Sequence, residues 1–338
     1  MRRAVISVAM LLIACGCKRK AAQAEERAAV TANNPAIPPS IKNKDASGAE
    51  GVQPGVISTE ITVHHVIFHE KSGLYLKAEW LRGRLYPSKP DVIPSLDDPN
   101  SFQVEIEDGR TEITLPSLSN VLSAGVLKDS KLSNVQVSAK RPQEIQISAL
   151  LHALFPMPVE LTGEIGTTAD GRMSIHVTKL KVLKMPFKGL LGAMKISPAS
   201  LMRVRNSRDI QINGDSIYVD PTSLLPAPRK LGKVREFRIT KAGELEQVYG
   251  NAPVEGPVDE RLPDSNWTNF VKLSGGTIRF GKLVMNDADM VLIDTSQHDW
   301  LHFDLAHYRD QLTRGDMRMT TSGGLRVFIP DITKIGGK

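Results

Sequence analysis

The chain has 338 residues, of which 41% are hydrophobic, 24% are charged and 5% are aromatic. This is the composition of a folded globular protein, and it excludes collagen-like, coiled-coil and wholly disordered chains. Because 43 Lys and Arg face 37 Asp and Glu, the net charge of +6 is too small to indicate nucleic-acid binding, and we predict no nucleic-acid partner.

The first residues have the pattern of a signal peptide. Arg2 and Arg3 precede the apolar run 4–14, which is too short to span a bilayer because a spanning helix needs about 20 residues. The run ends in Leu12-Ile13-Ala14-Cys15, which resembles the lipobox of bacterial lipoproteins. That resemblance implies cleavage after residue 14 and lipidation of the Cys15 thiol. An ordinary secretory signal and a short buried apolar segment are the alternatives.

Both cysteines lie in this segment, so the rest of the chain has no disulfide framework. Cys17 matches the lipobox less well than Cys15, because it lacks an aliphatic residue at the right place before it. Several acyl chains on one cysteine give stable membrane anchoring. Since Gly16 rather than Asp follows Cys15, the resemblance implies the outer membrane. We therefore expect a lipid-anchored protein of the cell envelope, on the periplasmic face of that membrane.

Residues 15–59 are expected to form the lipidated cysteine and a flexible tether. The stretch 18–59 has no aromatic residue and holds four prolines among small and polar residues. Such a segment buries too little apolar surface to offset the entropy of ordering. About 40 residues of this kind reach roughly 35 Å.

From residue 60 onward the sequence favours short strands joined by tight turns. Alternating apolar residues flanked by Gly, Asn and Asp are typical of β-hairpins. The predicted hairpins pair 61–68 with 74–80, 102–106 with 111–115 around Asp108-Gly109, 161–165 with 173–182, 210–212 with 217–219, 234–239 with 245–249, and 277–285 with 289–293 around Asn286-Asp287. Further strands are predicted at 135–137, 145–147 and 325–329.

Three segments instead have the spacing of amphipathic helices. Their apolar faces are formed by Leu118, Val121, Leu122 and Val126 after a candidate N-cap at Ser117, by Phe187, Leu190, Leu191 and Met194 after Pro186, and by Leu301, Leu305, Tyr308 and Leu312 before Gly315. A fourth short helix is predicted at 197–204, because Ser197 and Pro198 suit its N-cap and first position.

Many meandering hairpins and few helices predict an α+β fold rather than a βαβ fold. We expect a large curved antiparallel β-sheet with a few short amphipathic helices packed on it. The predicted organisation is a signal peptide (1–14), the tether (15–59), an α+β body (60–250), a Pro-rich loop (251–264), and a hairpin-helix-strand extension of the same sheet (265–338).

The chain has no serine-hydrolase, P-loop, dinucleotide-binding, zinc-protease or paired-CxxC motif, so we predict no enzyme, cofactor or metal. His64, His65 and His69 share one predicted strand, whose alternation places His65 and His69 on one face. His298 and His302 are four apart near a predicted helix start, a spacing that can chelate zinc. Surface histidines are the simpler interpretation.

Three aspartates, Asp287, Asp289 and Asp294, are close together in the sequence and are a candidate carboxylate cluster for a metal or for acid/base chemistry. The simpler interpretation is that Asp287 and Asp289 are turn residues of the hairpin predicted there.

A long basic window is the most unusual feature of the body. Residues 171–208 contain nine cations and no Asp or Glu, and the predicted helix after Pro186 lies within them. Lys184, Lys188 and Lys195 flank its apolar face, a combination that suits an anionic lipid headgroup with acyl chains beneath. The alternative is a helix packed on the sheet with solvated lysines.

Four stretches together resemble the LmeA-like phospholipid-binding proteins and, more broadly, the tubular TULIP-like lipid-binding domains. They are 113–122 (ITLPSLSNVL), 159–166 (VELTGEIG), 182–191 (VLKMPFKGLL) and 217–226 (IYVDPTSLLP). The resemblance covers roughly residues 60–249 and implies a curved sheet that wraps a helix and encloses acyl chains. The candidate lipid-binding residues are Leu118, Val121, Leu122, Phe187, Leu190, Leu191, Met194, Lys184, Lys188 and Lys195.

We therefore expect an anchored envelope lipoprotein that binds or carries a phospholipid or other amphiphile without catalysis. The alternative class is a structural lipoprotein whose sheet docks an envelope protein. A third possibility is an envelope hydrolase, which needs His298 or His302 to meet a carboxylate in one cleft.

Overall fold

Two β-sheets make up most of the chain that the structure describes. The structure is a computed structural model and describes residues 58–70, 73–123, 127, 130–152, 156–182, 210–253, 261–262 and 265–335. The strands are β1 (Thr59–Glu70), β2 (Leu74–Pro87), β3 (Phe102–Thr114), β4 (Leu132–Arg141), β5 (Glu144–His152), β6 (Pro156–Thr167), β7 (Met173–Val182), β8 (Ile210–Asn213), β9 (Ser216–Val219), β10 (Arg229–Leu231), β11 (Val234–Ile239), β12 (Glu244–Tyr249), β13 (Phe270–Phe280), β14 (Leu283–Asp294), β15 (Leu301–Asp304), β16 (Asp316–Met319) and β17 (Leu325–Ile329).

The helices of the described residues are short. They are α1 (Leu115–Val121), α2 (Pro221–Leu224), α3 (Tyr308–Thr313) and α4 (Ile332–Ile335), together with one 3₁₀ turn at Pro99–Ser101. None of the helices in the described part of the chain has the length and apolar character needed to cross a membrane.

The strands divide into a large sheet and a small sheet. The large sheet has the order β11-β12-β3-β2-β1-β13-β14-β17-β16, with β10 added to β3 and β15 added to β1. The small sheet has the order β4-β5-β6-β7-β9-β8. The predicted fold class is confirmed: the protein is mostly β, with large curved sheets and few helices.

Not every strand pair is antiparallel. In the described residues β15 runs parallel to β1, β10 runs parallel to β3, and β17 runs parallel to β14. Parallel neighbours require a connection that crosses from one end of the sheet to the other. Between β14 and β17 this connection holds β15, α3 and β16.

One hydrophobic core joins the two sheets. Its cluster of buried side chains includes Val63 and Leu85 of the large sheet and Val137 and Ile175 of the small sheet. Helix α1 follows β3 without a break, and Ser119 Oγ accepts a hydrogen bond of 2.8 Å from the backbone N–H of Val137 in β4. The helix therefore passes the chain from the large sheet to the small one.

Helix α1 begins three residues earlier than the sequence predicts. Its N-cap is Thr114, whose hydroxyl accepts from the backbone N–H of Ser117, so the predicted cap at Ser117 is wrong. Pro116 lies in the first turn, where a proline costs no helical hydrogen bond. The first turn therefore includes Leu115, which is buried in the core.

The predicted turn at Asp108-Gly109 is also wrong, because β3 runs unbroken through it. Gly109 pairs with Leu81 on one side and with Tyr249 on the other. A Cβ atom at residue 109 would lie 2.9 Å from the carbonyl oxygen of Trp80. The glycine therefore permits close approach of a neighbouring strand rather than a reversal of the chain.

The last predicted hairpin exists but turns elsewhere. Strands β13 and β14 reverse at Gly281 and Lys282, whereas Asn286 pairs with Thr277 inside the ladder. Asp287 has a positive φ of 55° within β14, so it marks a local irregularity of the strand and not its turn.

The helix predicted to start near Leu301 is shorter than expected. Leu301 lies in β15 and pairs with Val66 of β1, and the helix α3 begins only at Tyr308. Strand pairing with β1 therefore takes precedence over the helix that the spacing of Leu301 and Leu305 predicts. The predicted helices at 186–194 and 197–204 lie outside the described residues.

Candidate functional site

The small sheet and α1 enclose an apolar cavity, which we call the small-sheet cavity. Its volume is about 80 Å³. The side chains around it are all aliphatic or methionine, and its exposed wall is almost wholly apolar. The described residues that line it are Leu118, Leu122, Leu127, Leu132, Val135, Val137, Ile145, Ile147, Ala149, Val159, Leu161, Met173, Ile175, Leu180, Ile210, Ile217 and Val219.

The alternation of the strands produces this wall. On β6, Val159 and Leu161 face the cavity, and the intervening Glu160 faces away, as the period of two requires. On β5, Ile145, Ile147 and Ala149 do the same. The inner face of the small sheet therefore forms most of the cavity wall.

A second apolar space of about 100 Å³, the large-sheet cavity, lies on the inner face of β1, β2, β3 and β13. It is lined by side chains such as Val63, Leu85 and Phe102. Two lining residues are polar. Lys230 donates from Nζ to the carbonyl oxygen of Pro226 at 2.6 Å, and His69 shares a hydrogen bond with His302.

The polarity of these cavities decides what they can hold. Each is several times larger than the space that one water needs, but a water requires polar partners, and the small-sheet cavity offers no polar side chain, so it is expected to stay dry. An unfilled cavity costs about 24 cal/mol per Å³, so each of these costs roughly 2 kcal/mol. An aliphatic chain entering either cavity recovers that energy and leaves no buried polar group unpaired.

The structure describes only some of the predicted lipid-binding residues. Leu118 and Leu122 line the small-sheet cavity. Val121 lines a separate narrow space together with Leu74 and Ile113. The other predicted residues, Phe187, Leu190, Leu191, Met194, Lys184, Lys188, Lys195 and Cys15, lie outside the described residues.

The backbone of β1 is irregular at its three histidines. His65 has a positive φ of 51°, and β1 changes neighbour at this point from β13 to β15. Before it Ile61 and Val63 line the large-sheet cavity, and after it Phe68 and His69 do. The strand is therefore irregular at residue 65, and the prediction that His65 and His69 share one face stays a prediction.

Each of these histidines has a specific contact. Buried His64 donates from Nδ1 to the carbonyl oxygen of Thr268. His65 stacks on Trp300 with ring centroids 5.0 Å apart. Burial, together with His64, lowers the pKa of His65, and burial with His302 lowers that of His69.

His298 and His302 do not form the predicted pair near a helix start. His302 lies in β15, and its Nδ1 is 2.8 Å from Nε2 of His69. Its backbone N–H donates to Asp331 Oδ1 at 2.9 Å. His298 lies in the loop before β15. The sequence pattern did not predict the contact of His302 with His69, because that contact depends on the parallel register of β1 and β15.

The candidate carboxylates Asp287 and Asp289 are distant from His302. Asp289 pairs with a residue of β13 that in turn pairs with Glu60 of β1, whereas His302 pairs with Ile67 of β1. Glu60 and Ile67 are seven residues apart along β1, which corresponds to about 23 Å. Asp289 pairs instead with Arg326 at 2.9 Å. Asp287 and Asp289 belong to a strand and not to a turn.

A charged cleft of about 850 Å³ lies over β2, β3, β12 and β11. Lys77 Nζ lies 2.8 Å from Glu244 Oε2 and 3.5 Å from Glu112 Oε2. Glu112 in turn pairs in register with Glu246, which contacts Arg238. The sequence analysis did not predict this cluster of charged side chains, although charged residues at every second position of these strands indicate it.

The pKa values of the two glutamates around Lys77 shift in opposite directions. Burial raises the pKa of Glu112 to about 7, and the neighbouring Glu244 and Glu246 act in the same direction. Burial also acts to raise the pKa of Glu244, but hydrogen bonds with Glu112 and Lys77 outweigh it and lower that pKa. The pair therefore shares a proton near neutral pH.

No protein-family model, no curated protein and no solved structure matches this chain.

Proposed function

We propose that this protein is a lipid-anchored envelope protein whose body binds the acyl chains of a phospholipid or similar amphiphile, without catalysis. The observation that carries the proposal is the pair of mainly apolar cavities in one core. The lipobox-like sequence ending at Cys15 supports the anchor and the location on the periplasmic face of the outer membrane.

The walls favour an acyl chain over other ligands. The small-sheet cavity has no polar lining side chain among the described residues, so it offers nothing to orient a sugar, a nucleotide or a peptide. Each methylene moved from water into such a cavity gains about 0.8 kcal/mol. The large-sheet cavity adds Lys230 and His69 at its wall, which suits a ligand with one polar end.

A second candidate function is docking of an envelope protein. The edge strand β16 is exposed along all four residues, and Met317 and Met319 are 58% and 77% exposed. An edge strand presents unpaired backbone groups to which another chain can add a strand. This candidate needs no filled cavity, so lipid occupancy separates the two.

The test is native mass spectrometry of the full chain carrying Cys15→Ser, purified without detergent, so that covalent acyl groups do not mask a bound ligand. We expect a phospholipid at defined stoichiometry. We also expect affinity for added fatty acids to rise with chain length, about fourfold per methylene, until the cavities are full. The unsubstituted chain should carry a covalent lipid mass and partition with membranes.

Two substitutions place bulk in the cavities. Ala149→Phe fills the small-sheet cavity and Val104→Phe fills the large-sheet cavity. We expect at least one to weaken lipid binding tenfold or more. The matched control is Ala139→Phe, which puts the same ring on an exposed position of the same small sheet. A lipid-free mass with no chain-length dependence contradicts the proposal and favours docking.

A further inference from the structure

Two buried aspartates meet where neighbouring parallel strands end. Asp294 is the last residue of β14, and Asp331 follows β17 by two residues. The strands run side by side in the same direction, with Asp294 paired to Ile329, and Thr295 N–H donates to Ile329 O at 3.0 Å. The ends of these parallel neighbours share one edge of the sheet, so the two aspartates lie close together.

The loop between β14 and β15 brings a third carboxylate, that of Asp299, to this edge. Gln297 holds the loop, because its Nε2 donates to Asp294 O at 2.9 Å and its Oε1 accepts from Thr268 N–H at 2.8 Å. Asn269 Nδ2 donates to the carbonyl oxygen of Asp299. One carboxylate oxygen of each aspartate lies within 4.8 Å of those of the other two.

The carboxylate charges are incompletely balanced. Lys334 Nζ lies 2.6 Å from Asp331 Oδ2 and 3.4 Å from Asp299 Oδ2. Asp294 is fully buried, and its Oδ1 accepts one hydrogen bond from Ser296 N–H at 2.8 Å. Its Oδ2 is buried and has no hydrogen-bond partner among the described residues. A buried carboxylate oxygen without a partner is costly.

We propose that Asp294, Asp299 and Asp331 bind a divalent cation, with Ca²⁺ as the preferred ion. Calcium takes oxygen ligands at 2.3–2.6 Å, so two ligands of one ion stand at most about 5 Å apart, which the three oxygens satisfy. Without the Lys334 ammonium the three carboxylates carry a charge of −3, which one bound divalent ion reduces to −1. Lys334, half exposed on the short helix α4, is a competing cation that the metal displaces.

The test uses Tb³⁺ as a luminescent probe in calcium's place, on the full chain. Trp300 adjoins Asp299 in the sequence and is the expected sensitiser of Tb³⁺ emission. We expect saturable emission that Ca²⁺ reverses at lower concentration than Mg²⁺. Asp294→Asn and Asp331→Asn should each weaken the binding of Tb³⁺ and Ca²⁺ at least tenfold. Lys334→Met should tighten it several-fold, because the competing ammonium is gone.

The matched control is Asp289→Asn, which removes a carboxylate from the same strand outside the cluster and should leave binding unchanged. Circular dichroism of each variant checks that it folds, and Lys334→Met keeps all three ligands intact. The proposal is overturned by absence of saturable emission below 1 mM Tb³⁺. It is also overturned by variants of Asp294 and Asp331 that bind as the unsubstituted chain does, or by weaker binding in Lys334→Met.

Discussion

At the scale of single residues, the charged cleft over β2, β3, β12 and β11 places Glu112 among other carboxylates. Glu112 has its side chain 19% exposed, beside Glu244 and in register with Glu246. One ammonium, that of Lys77, contacts both Glu112 and Glu244. Burial raises the pKa of Glu112 to about 7, and the neighbouring Glu244 and Glu246 act in the same direction against the lowering effect of Lys77.

This proton links folding to pH. The pKa of Glu112 in the folded protein lies above the ordinary value of 4.5, so the folded state holds the proton more tightly than the unfolded state. The resulting stability is present in full below pH 4.5 and is lost as pH rises to about 7, by at most about 1.4 kcal/mol per pH unit. Urea unfolding midpoints from pH 5 to 8 should fall accordingly, and Glu112→Gln should flatten that fall.

The control for this measurement is Glu164→Gln, which removes an exposed carboxylate from the small sheet. It should keep the pH dependence of the unsubstituted chain. An equally steep fall in Glu112→Gln would show that Glu112 does not hold the proton.

At the scale of elements, the hairpin β13–β14 shows how backbone conformation sets the position of a turn. Gly275 and Gly276 have φ values of 69° and 61°, and Asp287 opposite them has 55°. The strands thus remain paired past the Asn-Asp sequence and reverse at Gly281, whose φ is also 61°. The backbone of Ser58 lies against Gly276.

The two neighbouring glycines provide an internal comparison. A Cβ on Gly276 would lie 2.5 Å from both Ser58 O and Thr59 Oγ1, whereas one on Gly275 meets nothing within 4 Å. Both alanine substitutions carry the strain of a positive φ, about 1–2 kcal/mol. Gly276→Ala should cost about 1–3 kcal/mol more than Gly275→Ala, because β1 must shift. Equal unfolding free energies for the two variants in urea would contradict this packing.

At the scale of the body, one core links the sheets, and we expect them to unfold together. The three tryptophans, Trp80, Trp267 and Trp300, lie in or beside the large sheet, so their fluorescence reports that sheet alone. Far-ultraviolet circular dichroism reports both sheets. The two signals should therefore change at the same urea concentration.

A core substitution in the small sheet tests this coupling. Ile175 is 4% exposed and belongs to the shared cluster, so Ile175→Ala should cost about 2–5 kcal/mol. Tryptophan fluorescence should shift by the same amount as circular dichroism, although every tryptophan is in or beside the other sheet. A shift confined to circular dichroism would mean that the sheets unfold independently.

The sequence by itself determined the class of fold and several hairpins. Alternation of apolar residues is a local property, and a glycine turn such as Gly214 between β8 and β9 needs no distant contact, so this hairpin was predicted correctly. The aliphatic character of the cavity-lining stretches was also visible in the sequence. Both follow from side-chain chemistry and from the period of two.

Only the tertiary structure decided where distant residues meet. The parallel pairing of β1 with β15 joined His69 to His302, and that of β14 with β17 brought Asp294 near Asp331. Gly109 looked like a turn because a glycine that permits close strand packing has the same sequence signal as one that permits a reversal. Strand register depends on the fit of whole sheets, and no local pattern along one strand encodes its partner.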